Sequence, residues 1–338
     1  MPMAQLHQDR TITMLGEQQL LQRLYHFCAE GVVGDDGAVL MPQTGHALVV
    51  TTDMLVEGVH FSDRTTSASD VGWRSAAANL SDLAAMGATP LGITLSLGLP
   101  ASLAVEWLDQ LYIGMAQCLQ TYGTAIIGGD LSRSPVVTVS ITAVGEVLPH
   151  QQILRSVARP GDAIVATGSH GAARAGLELL THPEWGQALS PADRVSLTQA
   201  HQRPCPRLDV LPVLRQLTPP SRIAGMDSSD GLADAILQIC QASGVGATLE
   251  QAGIPIPPVL ENSDILDSQE ALQWALYGGE DFELVLCLPP PAAQELVTKL
   301  GSAAKVVGHI VPGNKVKILG RNGVEQPLEL KQGFQHFG

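Results

Sequence analysis

Aromatic residues make up only 4% of the 338-residue chain, and basic ones are scarce, with 19 Lys and Arg against 33 Asp and Glu. The resulting formal net charge of −14 argues against a reader of nucleic-acid backbones, whose affinity comes largely from basic side chains replacing counterions. No basic stripe is present. Cysteines are few: Cys28, Cys118, Cys205, Cys240 and Cys287 are odd in number and widely spaced. That suggests neither a disulfide framework nor a zinc site and fits a reducing cytosol. Long hydrophobic runs are missing too. The uncharged stretch Leu83 to Val105 is cut by Gly87, Pro90, Gly92, Gly98 and Pro100, which a membrane-spanning helix tolerates poorly. It reads instead as a helix end followed by a buried strand. The N-terminus, with His7, Asp9 and Arg10, lacks the apolar run of a secretory signal. Neither a Walker G-x-x-x-x-G-K-[ST] loop nor a kinase catalytic loop occurs, so the common ATP-binding folds are excluded as far as motifs can exclude them. No Ser-His-Asp or Cys-His ordering can be argued.

What is present is an aliphatic chain with 45% hydrophobic residues, long enough for two domains. Helical spacing is expected over residues 15–29, 69–86, 103–122, 171–180 and 232–242. Strands are expected over Ala47 to Thr52, Thr124 to Ile127, Val136 to Val147, Asp162 to Thr167, Gly225 to Asp227, Phe282 to Leu288, Lys305 to Ile310 and Val316 to Leu319. Segment 181–222, rich in Pro, Gln, His and Arg, reads only as helix plus loop. Pro149, Pro160 and Gly161 place a boundary near 148–160. The expected division is 1–148 and 149–338, each part mixing strands, helices and a glycine-flanked Asp.

The chemistry lies in scattered acidic motifs: Gly34-Asp35-Asp36-Gly37, Thr51-Thr52-Asp53, Asn79-Leu80-Ser81-Asp82, Gly128-Gly129-Asp130, Asp227-Ser228-Ser229-Asp230-Gly231 and Gly278-Gly279-Glu280-Asp281. Carboxylates gathered in one place repel unless a hard cation such as Mg²⁺ neutralises them, and such a cation often bridges to nucleotide phosphates. Phosphoryl transfer is therefore the first hypothesis.

Each motif also has a plain structural explanation. Gly34 to Gly37 suits a β-turn, and Asp53 at a strand end is a common turn starter. The Gly128-Gly129 pair suits a hairpin, although two glycines also let a backbone approach a phosphate closely. Ser229 or Asp230 would cap the following helix, whose N-terminus is also a phosphate seat. Asp82 is sharper. In the last turn of a helix a carboxylate is disfavoured by roughly 0.3–1 kcal/mol, so something positive should compensate it. His60 lies near Asp53 in sequence, whereas His170 and His309 read as surface or satisfied core residues.

The ordered set, with Thr51 to Phe61 and Asn79 to Pro90 as its longest pieces, closely resembles the thiamine-monophosphate kinases. The resemblance covers the chain from about residue 34 onward. It implies the two-lobed fold shared with aminoimidazole ribonucleotide synthetase and selenophosphate synthetase. In that fold an N-terminal α+β lobe binds ATP and Mg²⁺, its mixed sheet forming a barrel across a homodimer, and a C-terminal α/β lobe completes the active site. The implied reaction is ATP plus thiamine phosphate giving ADP plus thiamine diphosphate, by direct in-line transfer with several Mg²⁺ ions.

Carried over motif by motif, the resemblance makes Asp36, Thr51, Thr52, Asp53, Asp82, Asp130, Asp227 and Asp230 metal ligands, with Asp53, Asp130 and Asp227 central to catalysis. Tyr112, Gly129, Asp130, Arg155 and Ser229 would touch the nucleotide. His60, Glu280 and Phe334 would touch thiamine phosphate, Phe334 lying in a tail that resembles the family's aromatic ending. Gly37 and Ser228 depart from the family's usual residues, and neither change removes an oxygen ligand. Two other classes remain open on the residues alone: a related enzyme of this fold activating an amide or selenide, and a non-catalytic Mg-nucleotide sensor.

Overall fold

The computed structural model describes residues 11–33, 35–217, 222–261 and 265–329. They group into two units, one made of the chain up to Leu83 plus Thr89–Val147, the other of Ala84–Ala88 plus the chain from Leu148 onward.

The first unit opens with the short helices α1 (Ile12–Leu15) and α2 (Glu17–Leu24), followed by a 3-10 turn at Tyr25–Phe27. The helix expected over 15–29 is thus realised as α2 and the 3-10 turn after it, with Gly16 at φ 76° separating α2 from α1. Strand β1 (Ala47–Val56) leads into α3 (Ala68–Ala85), β2 (Thr89–Leu99), α4 (Val105–Thr121), β3 (Ile126–Arg133) and β4 (Thr138–Val147). The four strands form one sheet in the order β1-β4-β2-β3, with β2 and β3 parallel and the other neighbours antiparallel.

Two glycines explain how α3 and α4 lie together. A Cβ on Gly72 would sit 1.9 Å from the Leu111 carbonyl oxygen, and one on Gly114 would sit 1.8 Å from that of Ser69. The helix backbones touch at both points, and only glycine leaves room. Leu80 and Leu83 of α3 and Leu108, Leu111 and Met115 of α4 are fully buried.

In the second unit β5 (Ala163–Ala166) is followed by α5 (Ala172–Thr181), α6 (Pro191–Gln202), α7 (Val210–Leu214), β6 (Ala224–Asp227), α8 (Leu232–Ser243) and β7 (Gly246–Glu250). Next come α9 (Pro258–Glu261), α10 (Ser268–Tyr277), β8 (Leu284–Leu288), α11 (Pro290–Leu300), β9 (Lys305–Val311), β10 (Val316–Leu319) and β11 (Glu325–Pro327). The strands make one sheet in the order β11-β10-β7-β9-β5-β8-β6. Only β7 and β10 run parallel, so this lobe is a mixed, mainly antiparallel α+β layer rather than the α/β lobe expected. Burial on both faces accounts for its central strands: β5 and β8 are buried along their whole length, as continuous apolar runs such as Leu284-Val285-Leu286-Cys287-Leu288 require. One face packs on Ile236, Ile239 and Leu276, the other on Leu211, Ala293 and Leu296.

All five cysteines are free. Among the described residues no helix is long and apolar enough to cross a membrane.

Candidate phosphate-transfer site

In the first unit, β1 carries Thr51, Thr52 and Asp53 in mid-strand rather than at a strand end. The alternating run continues through Met54, Leu55 and Val56 because β4 offers partners as far as Thr138. Alternation puts Thr51 and Asp53 on one face and Thr52 on the other. On the first face the last turns of α3 meet the strand. The Thr51 hydroxyl donates to the Asp82 carboxylate, and the Asp53 amide donates to Asn79 Oδ1 at 3.1 Å. Asn79 and Asp82 are one helical turn apart and therefore share a side of α3. Two motifs separated by about thirty residues are thereby joined into one oxygen-rich patch. Ser67 directly precedes α3, and its hydroxyl accepts the Asp70 amide at 3.2 Å, so the helix begins one residue ahead of the expected 69.

Asp130 stands elsewhere on the same sheet. Gly128-Gly129-Asp130 lies inside β3, not in a turn. Reading across the ladder, Asp53 pairs with Ile141, Ile141 with Leu95, and Leu95 with Gly129. Asp130 is thus next to the end of a row that begins at Asp53, three strand spacings or about 14 Å away. Its carboxylate is exposed and accepts from the Ser132 hydroxyl at 3.1 Å. Gly129 has a packing reason of its own, since a Cβ there would lie 2.2 Å from the Leu95 carbonyl oxygen.

Asp36 sits in an exposed bend. His60 follows β1, its Nδ1 accepting the Val56 amide at 3.1 Å, which makes the ring part of the turn that ends the strand. Tyr112 is 5% exposed inside α4 and packs on Phe27 with ring centroids 5.4 Å apart; burial raises its phenol pKa.

In the second unit, β6 ends at Asp227, which is 2% exposed and accepts from the Ser229 hydroxyl at 3.3 Å. The capping role considered for Ser229 or Asp230 is absent. Gly231, at φ 106°, is the N-cap of α8, and no side chain caps the helix. A Cβ at Gly231 would lie 2.7 Å from the Leu276 carbonyl, so the close approach to α10 demands glycine. Asp227, Ser229 and Asp230 therefore stand just before α8 without capping it.

Beside them lies Gly278 to Asp281. The Glu280 amide donates to the Ser229 carbonyl at 2.7 Å, which joins the two motifs. Glu280 and Phe282 have φ of 62° and 52°, a left-handed conformation that costs non-glycine residues roughly 1–3 kcal/mol each and is typical of functional segments. The Glu280 carboxylate faces His201 Nδ1 at 3.3 Å, and His201 is 3% exposed. Arg155, exposed in a 3-10 turn, donates to Gln238 Oε1 at 2.6 Å. Gln238 in turn donates to Asp234 at 2.6 Å, and burial, opposed by that bond, raises the Asp234 carboxyl.

Beneath the loops is a layer that the motifs did not reveal. Glu283 accepts from the Thr167 hydroxyl at 2.6 Å and from Arg207, and burial pushes its carboxyl up against the pull of Arg207. Gly168 makes room for it, because a Cβ there would meet Glu283 Oε1 at 2.2 Å. Only the sequential spacing of acids in Glu280-Asp281-Phe282-Glu283 hinted at this layer. Phe334 lies outside the described residues.

Among the described residues no three His, Cys, Asp or Glu side chains come together as a metal cluster. The donors are nevertheless all hard oxygens, from carboxylates and Thr or Ser hydroxyls. Such a set suits a cation that takes one or two carboxylates and completes its shell with phosphate and water.

Comparison with known proteins decides what this arrangement belongs to. Residues 34–147 match the family described as AIR synthase related protein, N-terminal domain, and residues 159–321 match its C-terminal counterpart. A thiamine-monophosphate kinase of Synechococcus elongatus is 51% identical over 334 residues, spanning 97% of this chain and 98% of that one. The chain belongs to the thiamine-monophosphate kinase family. A further member, from Escherichia coli, is 34% identical over 90% of this chain and 91% of its own. Among solved structures, the thiamine-monophosphate kinase of Stenotrophomonas maltophilia K279a superposes with a TM-score of 0.77 at 34% identity, covering 88% of this chain and 95% of that one. The structure of AaThiL complexed with AMPPCP and TMP gives 0.75 at 31% identity, covering 96% and 97%. The hydrogenase maturation protein HypE, at 18% identity and a TM-score of 0.75, shares the fold.

Proposed function

We propose that this kinase-family chain transfers the terminal phosphate of ATP to thiamine phosphate, giving ADP and thiamine diphosphate. The observation that carries this reading is the end-to-end likeness to a relative held with an ATP analogue and TMP. The oxygen-rich donor set fits Mg²⁺, and Asp36, Thr51, Thr52, Asp53, Asp82, Asp130, Asp227 and Asp230 would hold several ions. When bound, such ions offset the negative charge of the phosphates and order them for displacement. Each unit carries part of the donor set: the Thr51 to Asp82 junction in the first, and Asp227 with Asp230 at the start of α8 in the second.

The residues around these donors bind and orient. Gly129, Asp130, Arg155, Ser229 and Tyr112 serve the nucleotide; His60, Glu280 and Phe334 serve thiamine phosphate. No general base is required. A phosphomonoester is mostly a dianion at neutral pH, so its oxygen needs placement in line with the transferring group rather than deprotonation. Glu280 suits placement well, because its backbone is tied to Ser229 and its carboxylate to His201.

On this reading residues 1–148 are the ATP- and Mg-binding, dimerising domain and 149–338 the domain that completes the active site. β1 is an edge strand whose Leu48, Val50 and Met54 are 53%, 63% and 53% exposed. An apolar, unpaired edge is a template for a second chain, in keeping with a homodimer whose sheets close into a barrel. The five free thiols are consistent with the reducing cytoplasm.

The test is incubation with ATP, Mg²⁺ and a panel of phosphorylated vitamins and ribonucleotides, following ADP release and product mass. Thiamine diphosphate is the expected product. ADP release only with a formylated ribonucleotide or with selenide would overturn the substrate and leave the fold standing.

A further inference from the structure

His170 and Ser228 form a closed pair under the phosphate-transfer loops. Both are 0% exposed, and each polar atom of the pair has a partner. His170 Nδ1 lies 3.1 Å from the Gly168 carbonyl oxygen, which can only accept, so this nitrogen carries the proton. The opposite nitrogen, Nε2, is left as the acceptor and lies 3.0 Å from Ser228 Oγ. The Ser228 hydroxyl must then donate to the ring, and its oxygen accepts the Glu283 amide at 3.2 Å. Backbone bonds fix both ends: the His170 amide donates to the Pro255 carbonyl and the Ser228 amide to the Glu283 carbonyl, each at 2.8 Å. Burial holds the imidazole pKa down at about 4, against the pull of its bond to Gly168, so the ring stays in this neutral form.

A Ser-His contact invites a nucleophilic reading. Complete burial of both side chains rules that out, because no substrate reaches either atom. Packing alone is no better an account, since two apolar residues of similar shape would fill the space without the cost of burying polar groups. What the pair adds is direction. It ties the residue between Asp227 and Ser229 to Glu283, just ahead of β8, on one side and to the Gly168 to Gly171 strap on the other.

We propose that His170 is a positioning residue for the phosphate-transfer site: through Ser228 Oγ it fixes the turn after β6 and so sets where Asp227 points its carboxylate. This rests on the reading of Asp227 as a metal ligand.

The test uses the full chain with the ATP analogue AMPPCP and Mn²⁺ as probe, free Mn²⁺ being read by electron paramagnetic resonance. Steady-state kinetics and melting curves run alongside. His170→Phe keeps ring volume and removes both nitrogens, Ser228→Ala removes only the hydroxyl, and His170→Gln retains an acceptor for Ser228. The first two should weaken Mn²⁺ binding by about five- to tenfold, the size of one lost hydrogen bond. They should raise the KM for Mg·ATP in step and change kcat less, while His170→Gln stays within about twofold of wild type. Wild-type Mn²⁺ affinity in both Ser228→Ala and a folded His170→Phe would overturn the proposal, as would loss in Ser228→Ala alone, which would assign the effect to Glu283. Should His170→Phe not fold, weakening by Ser228→Ala with retention by His170→Gln supports the proposal, and any other pattern overturns it. The Mn²⁺ measurement does not depend on the acceptor. A wild-type chain that binds Mn²⁺ yet leaves thiamine phosphate untouched would refute the substrate alone, and the same variants would still judge His170.

Discussion

The carboxylate of Asp281 closes the start of α5, accepting the Gly171 amide at 2.7 Å and the Ala173 amide at 3.0 Å. The bonded residues are more than a hundred positions apart in sequence, so the contact pins the strap that bears His170 to the segment that bears Glu280. Burial raises the Asp281 pKa to about 7, against the pull of these amides. An unfolded aspartate titrates near about 4. Over that window the native state holds the extra proton, so this group's stabilising contribution is full below about pH 4 and is lost as pH rises through about 7. Asp281→Asn keeps an acceptor and removes the titration. Melting temperatures measured from about pH 5.5 to 8 should fall less steeply in the variant than in wild type; parallel curves would contradict the assignment.

Asp53→Asn and Asp130→Asn keep side-chain shape and remove a negative charge expected to hold Mg²⁺. Turnover should fall by at least about a hundredfold in each, comparable to the loss of other electrostatic stabilisers. Asp63→Asn, at an exposed position outside every motif, is the control. Near-normal turnover of both motif variants at saturating Mg²⁺ would remove them from the metal set.

Gly129→Ala separates packing from phosphate approach. The added methyl collides with the Leu95 carbonyl, so the variant should lose about 1–3 kcal/mol of stability, visible in denaturant unfolding. Unchanged stability with a raised KM for ATP would mean that the strand accommodates the methyl and that the nucleotide alone needs the glycine.

Phe334→Ala should raise the KM for thiamine phosphate several-fold and leave the KM for ATP and the melting temperature nearly unchanged. The cationic thiazolium favours an aromatic face by roughly 0.5–2 kcal/mol. A large stability loss with unaltered substrate affinity would identify the ring as a core anchor.

Val50→Lys puts a charge in the exposed apolar row of β1. If β1 lies at a dimer interface, the variant should sediment as a monomer at micromolar concentration where wild type is a dimer. A fully active wild-type monomer under those conditions would eliminate the interface.

Strands rich in β-branched and aliphatic residues were legible in the sequence, among them β4, β5, β8 and β10, because alternation and continuous apolar runs report burial directly. α6 was legible only as an unplaced helix within 181–222 and α10 went unread, despite local signals. Ser190 caps α6 by accepting the Asp193 amide at 3.1 Å, with Pro191 following, and Asp267 caps α10 by accepting from Gln269 and Glu270 at 2.9 and 2.8 Å. Their weak apolar periodicity hid both. The acidic motifs stood out, but their spatial relations did not. The Thr51 to Asp82 contact depends on how α3 packs on β1, the separation of Asp130 from Asp53 on strand order, and the left-handed Glu280 on the bond to Ser229. None of these is encoded within a window of a few residues. The layer of Thr167, His170, Arg207 and Glu283 was equally hidden, since each residue finds its partner through the tertiary fold.

Ala84 and Ala85 are 0% and 6% exposed and sit in the same cluster as Ile153, Leu211 and Leu286, although they precede β2. The second unit is consequently assembled from two separate pieces of polypeptide. A fragment expressed from Leu148 onward would lack a plug for its own interior, and a chimera with one crossover at that point would inherit the plug from the other parent. Grafting between family members therefore needs three junctions, at Leu83, Ala88 and Val147, for the transplanted half to carry its whole core.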